Sequence, residues 1–100
     1  MNDLQWLQDW YARQCDGDWE HSWGVRVTTL DNPGWRVSIH LEDTELEGKT
    51  FTKLQIDRTE EDWIYAKVEN NFYEGVGGAL NLTEIFGVFW EWTEANEWRN

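Results

Sequence analysis

The chain has little of what most small catalytic or nucleic-acid-binding domains are built from. A single cysteine, Cys15, excludes an intrachain disulfide and points to a reducing compartment. Lys and Arg together number 8 against 20 Asp and Glu, a net charge of −12. A phosphate backbone or an anionic lipid surface would be repelled, so neither nucleic acid nor membrane is expected as a partner. No stretch approaches the ~20 apolar residues of a membrane span, and Met1 to Trp10 carry no basic segment or apolar run of a leader. A cytoplasmic protein is expected. At 100 residues the chain suits one domain, 1–100, because a second core would have too little chain.

What is abundant is tryptophan, 9 residues against 1 Met and 1 Pro. One buried aromatic removes roughly 150–250 Å² from water, on the order of 4–6 kcal/mol as an upper estimate. A few such side chains anchor a small core, and a core of this size should leave others partly exposed. Hydrophobic residues make up 40% of the chain, which excludes a disordered acidic tail.

Periodicity reads as helix, four strands, helix. Leu4, Leu7, Trp10 and Tyr11 share one face of a helix over 3–14, capped by Asn2 or Asp3 and stopped by Gly17. Trp23, Val25, Val27 and Thr29 alternate with polar residues as a strand. Asn32-Pro33-Gly34-Trp35 fits a type II turn in which Gly34 supplies a positive φ. Trp35, Val37, Ile39 and Leu41 form the second strand of that hairpin. Segment 49–58 predicts a third strand with a bulge between Phe51 and Leu54, and 62–69 a fourth. Gly75 to Gly78 read as a flexible turn. Asn81 and Glu84 form a capping box, stapled by Leu80 and Ile85, at the start of a helix whose apolar face carries Leu82, Ile85, Phe86, Phe89 and Trp92. The expected fold class is α+β, a four-stranded antiparallel meander with the N- and C-terminal helices on one face.

Chemistry finds few footholds. Cys15 could pair with His21 as a nucleophile, but Asp16, Asp18 and Glu20 flank it, and their charge disfavours the thiolate. The same acids fail as a cation loop: counted from Asp16, the sixth and twelfth positions are His21 and Val27, where Gly and Glu are needed. Cys15, His21 and His40 lack zinc-ligand spacing. No catalytic residue, metal or cofactor is assigned. The glycine run before Asn81 has no nearby cation to hold a phosphate, and the Asn81-Leu82-Thr83 sequon coincides with a helix cap.

The acidic clusters carry more. Glu91, Glu94 and Glu97 are like charges three apart, far from the helix N-terminus, where they weaken the helix that bears them. Trp98 lies among them. Acid beside aromatic suits the capture of a basic protein, since charge steers the encounter and the aromatic supplies the anchor. The expected contact residues are Glu91, Glu94 and Trp98, then Asp16, Asp18 and Glu20.

The run Leu4-Gln5-Trp6, Trp10-Tyr11 and Gln14-Cys15-Asp16-Gly17-Asp18-Trp19-Glu20-His21 resembles the opening of a bacterial immunity-protein family, immunity protein family 53. The likeness continues through Gly24-Val25, Thr29 to Trp35, Asp62-Trp63, Lys67-Val68, Gly75 to Gly78 and Asn81-Leu82. It implies a role in a polymorphic toxin system, with no catalytic residues. The expected function is binding and neutralising a cognate toxin domain by stoichiometric occlusion. The toxin is expected to be basic, as a phosphate-gripping nuclease is, and the immunity protein a monomer. The alternatives are a small Cys15-dependent, sulfurtransferase-like enzyme and a ligand-binding domain with a Trp-lined pocket.

Overall fold

The computed structural model describes residues 2–97. Helix α1 (Asp3–Gln14) begins where Asn2 Oδ1 accepts the Gln5 amide at 2.7 Å, satisfying one of the unpaired donors of its first turn. A one-turn helix, α2 (Trp19–Ser22), leads into β1 (Val25–Leu30) and β2 (Gly34–His40). After a long connection come β3 (Leu54–Asp57), β4 (Trp63–Glu69), β5 (Phe72–Gly77) and α3 (Leu82–Glu97). The architecture is the expected α+β: an antiparallel sheet with the terminal helices packed together and on it.

The sheet has five strands in the order β1-β2-β5-β4-β3, so it is not the expected four-stranded meander. The added strand is β5, which takes in Gly75 to Gly77 of the run read as a flexible turn. It forms a hairpin with β4 through Asn70 and Asn71, whose φ values of 55° and 64° are those of a two-residue type I′ turn. β5 then inserts beside β2, and this placement breaks the sequential order. Gly75 serves packing, not flexibility: a Cβ there would sit 2.6 Å from Ile85 Cγ2 of α3. The glycine lets the helix approach the sheet.

Other local expectations change for similar reasons. Gly34 is the first residue of β2, paired with Leu30, and its φ is not positive. A side chain there would collide with the Gly77 carbonyl, so the glycine answers to a neighbouring strand. The third strand begins only at Leu54, with no bulge. Phe51 lies before it, edge-on to Tyr73 and Trp92 at 5.7 and 5.2 Å. Leu80 is 95% exposed, so no staple forms with Ile85. The capping box is replaced by a polar knot: the Asn81 amide nitrogen donates to Asp62 and Glu84, and its oxygen accepts the Trp63 amide. Arg58 closes the knot on Asp62 and Glu84 at 2.8 and 2.6 Å. Asn81 and Arg58 hold the Asp62 carboxyl below the usual range, and Arg58 does the same for Glu84.

The core lies between the helices and one sheet face. Val37, Ile39, Ile64, Ala66 and Tyr73 point into it, and Trp6, Leu7, Trp10, Ile85, Phe86 and Phe89 cover them. Trp10 meets Phe89 edge-on at 5.1 Å and Trp19 at 6.1 Å, geometries worth about 0.5–1.5 kcal/mol each beyond area burial. Tyr73 donates to the Ile85 carbonyl at 2.9 Å, and burial pushes its phenol pKa up. Three indole N–H groups fasten the connection from β2 to β3: Trp10 to Glu45 Oε2, Trp19 to the Glu42 carbonyl and Trp92 to the Thr50 carbonyl, at 3.0, 2.8 and 2.8 Å.

Candidate partner-binding surface

The expected contact residues fall into two places at opposite ends of α1, about 18 Å apart by helix rise. Glu91 and Glu94 lie on the solvent side of α3, along its seam with the start of α1. There they join Asp3, Gly87, Trp90 and Ala95 in an open groove of about 790 Å³. Trp90 is half-buried. One face stacks on Trp6 at 5.4 Å and 15°, and its N–H donates to Glu94 Oε2 at 3.2 Å. Its neighbour Phe89 faces the core, so Trp90 is held in one orientation among three carboxylates. The ion pairs of Arg36, Arg58 and Lys67 all lie elsewhere. Trp98 lies outside the described residues.

The second place is the turn after α1. Here the carboxylates are engaged by backbone. Asp16 Oδ1 accepts the amides of Asp18 and Trp19, each at 3.0 Å. Glu20 accepts those of Asp16 and Gly17 at 3.0 and 2.8 Å. The Trp19 and Asp18 amides hold the Asp16 carboxyl below the usual range. The run Cys-Asp-Gly-Asp-Trp-Glu is a turn that delivers Trp19 to the core, where it is 2% exposed. Asp18 is exposed and makes no side-chain cap. Cys15 Sγ donates to the Tyr11 carbonyl at 3.4 Å.

The two histidines share a groove of about 710 Å³ at one end of the sheet's outer face. The His40 ring lies between Trp23, stacked at 4.0 Å, and the edge of Phe72 at 4.2 Å. Burial there lowers its pKa against an opposing pull from Glu42. Among the described residues no buried side-chain nitrogen or oxygen lacks a partner, and no three His, Cys, Asp or Glu converge on a point. No described helix is long and apolar enough to cross a membrane.

Two further features depend on the strand order. One is the outer sheet face, where Trp63, Tyr65, Phe72 and Val76 stand among Arg36, Lys67 and Glu74, uncovered by α1 and α3. The other is the free edge of β1, beside exposed Leu4, Tyr11 and Val27. Alternation within each strand marks such side chains, but strand order decides which edge is open.

No curated protein and no solved structure matches the chain. A family model does, over residues 4–94, covering the Cys15–His21 turn, the whole sheet and α3 through Glu94. Immunity proteins are typically non-enzymatic inhibitors that act on a cognate toxin. The chain thus belongs to the immunity protein 53 family.

Proposed function

We propose that the protein neutralises its toxin by stoichiometric occlusion, laying an acidic, tryptophan-bearing surface over a cationic site. The observation that carries this reading is the seam of α1 and α3, where Asp3, Glu91 and Glu94 surround an oriented Trp90. The carboxylates attract a basic partner over about a Debye length, ~8 Å at physiological salt, and the indole provides apolar contact once water is displaced. Trp98, outside the described residues, is a further contact of this reading, and Asp16, Asp18 and Glu20 add a second negative patch. A nuclease, whose active site must hold phosphates, is the toxin class that best fits such a surface.

The test is co-purification with the product of the gene adjacent to this chain's, where this reading expects the toxin, followed by stopped-flow association at several salt concentrations. A one-to-one complex whose association rate falls steeply with ionic strength is expected. A salt-independent rate would remove the steering. Loss of protection in Cys15→Ser would replace occlusion with thiol chemistry.

A further inference from the structure

Among the described residues, β1 is an edge strand that pairs with β2 alone. The His40 amide donates to the Gly24 carbonyl at 3.0 Å, which makes Gly24 and His40 a hydrogen-bonded pair at the head of the β1–β2 ladder. Alternation along an antiparallel ladder then gives Arg26, Thr28 and Leu30 to β2. It turns the N–H and C=O groups of Val25, Val27 and Thr29 away from the sheet. The register runs without a bulge from Val25↔Ile39 to Leu30↔Gly34. β1 has no proline, lysine or bulge, and its one charged side chain, Arg26, stands beside Ser38 on the outer sheet face, opposite to the side that Val25 and Val27 occupy. The opposite edge, β3, is only four residues long and follows Lys53.

On its helix side β1 borders an apolar groove of about 370 Å³ lined by Leu4, Leu7, Tyr11, Trp23 and Val25. Leu4 is 66% exposed, Val27 40% and Tyr11 38%. Leu4 follows Asp3, so this groove and the acidic seam flank the same first turn of α1.

We propose that the β1 edge takes up an extended strand of the toxin, which adds a sixth strand to the sheet and places alternate apolar side chains in the Leu4–Tyr11 groove. This rests on the toxin-binding reading above and names a second element of the same interface. The row of unpaired amides and carbonyls selects an extended backbone, since only another strand can satisfy it in register. The charge of −12 selects the source: two copies of this chain repel one another, whereas a cationic toxin is attracted.

Amide hydrogen exchange on the intact protein, free and with the toxin so obtained, tests this directly. Protection of the Val25, Val27 and Thr29 amides in the complex is the expected result. Val27→Pro removes one outward N–H and leaves the β2 ladder intact, so affinity should fall by about tenfold or more. Val27→Thr keeps the N–H and should bind within about threefold of wild type. Complex formation without protection at these amides overturns the strand addition and leaves toxin binding standing. Protection that arises on concentrating the protein alone, with a doubled mass, assigns the edge to a second copy and equally overturns it. Absence of any complex with wild-type protein overturns the toxin-binding reading, and this inference with it.

Discussion

The carboxylates of the turn after α1 fold back onto their own main chain, whereas those of α3 face solvent around Trp90. Both groups look alike in sequence, as acids spaced two or three apart beside a tryptophan. What separates them is the position of the indole. Trp19 is sunk in the core and needs a tight turn to deliver it, so Asp16 and Glu20 are taken up by four amides. Trp90 lies on a helix flank, where the backbone is already bonded, and its acidic neighbours keep their outward lone pairs. A carboxylate's surroundings are thus set by what the nearby backbone lacks.

This contrast can be broken or sharpened by mutation. The largest effect is expected for Trp19→Ala, which empties a buried site and strands the Glu42 carbonyl. Loss of about 3–5 kcal/mol should appear as a large fall in Tm in thermal or urea unfolding. Reversing both outward acids, Glu91→Lys with Glu94→Lys, should slow association with the toxin by about tenfold or more at low salt and leave Tm nearly unchanged. An unaltered association rate would move the partner to another face. Glu20→Ala should do the reverse, lowering Tm by a few degrees with a smaller change in association rate, because it releases two amides of the turn.

The smallest effect concerns acid. Asp16, Asp62 and Glu84 all titrate below their ordinary range in the folded protein. Their contributions are present in full above the carboxylate pKa of the unfolded chain and are lost as pH falls through the lower folded values. Asp16→Asn should flatten the acid limb of a stability-versus-pH curve by one group's share, and a limb of unchanged slope would deny the turn its role. His40 acts in the same direction at higher pH. Its contribution is present above the ordinary histidine pKa and lost as pH falls through its lowered folded value.

Elements whose side chains declare a period were legible from sequence. The bounds of α1, 3–14, hold to the residue, and the alternation of Val37 and Ile39 and the apolar stripe of α3 are all observed. β5 was not legible, because Gly75 and Gly77 erase its period and the demand for them comes from Ile85 and the Trp63 carbonyl, on other elements. Its one local signal is the Asn70-Asn71 pair, which suits a type I′ hairpin. The surface was half legible. Glu91 and Glu94 stand out by spacing, but Asp3 and the orientation of Trp90 depend on how α1 lies against α3. The open edge of β1 follows from strand order, which no local pattern encodes.

The three indoles that fasten the β2–β3 connection bear on how such a protein diversifies. Two of them grip main-chain oxygens, of Glu42 and Thr50, and every amino acid carries such an oxygen. The path of that segment is therefore written partly into its neighbours and partly into its own buried Leu41 and Leu46 and bonded Thr44 and Glu47, which leaves only its exposed, unbonded side chains at liberty to vary. A lineage can exchange exposed Lys49 or Thr52 to follow a drifting opponent without rebuilding the scaffold beneath.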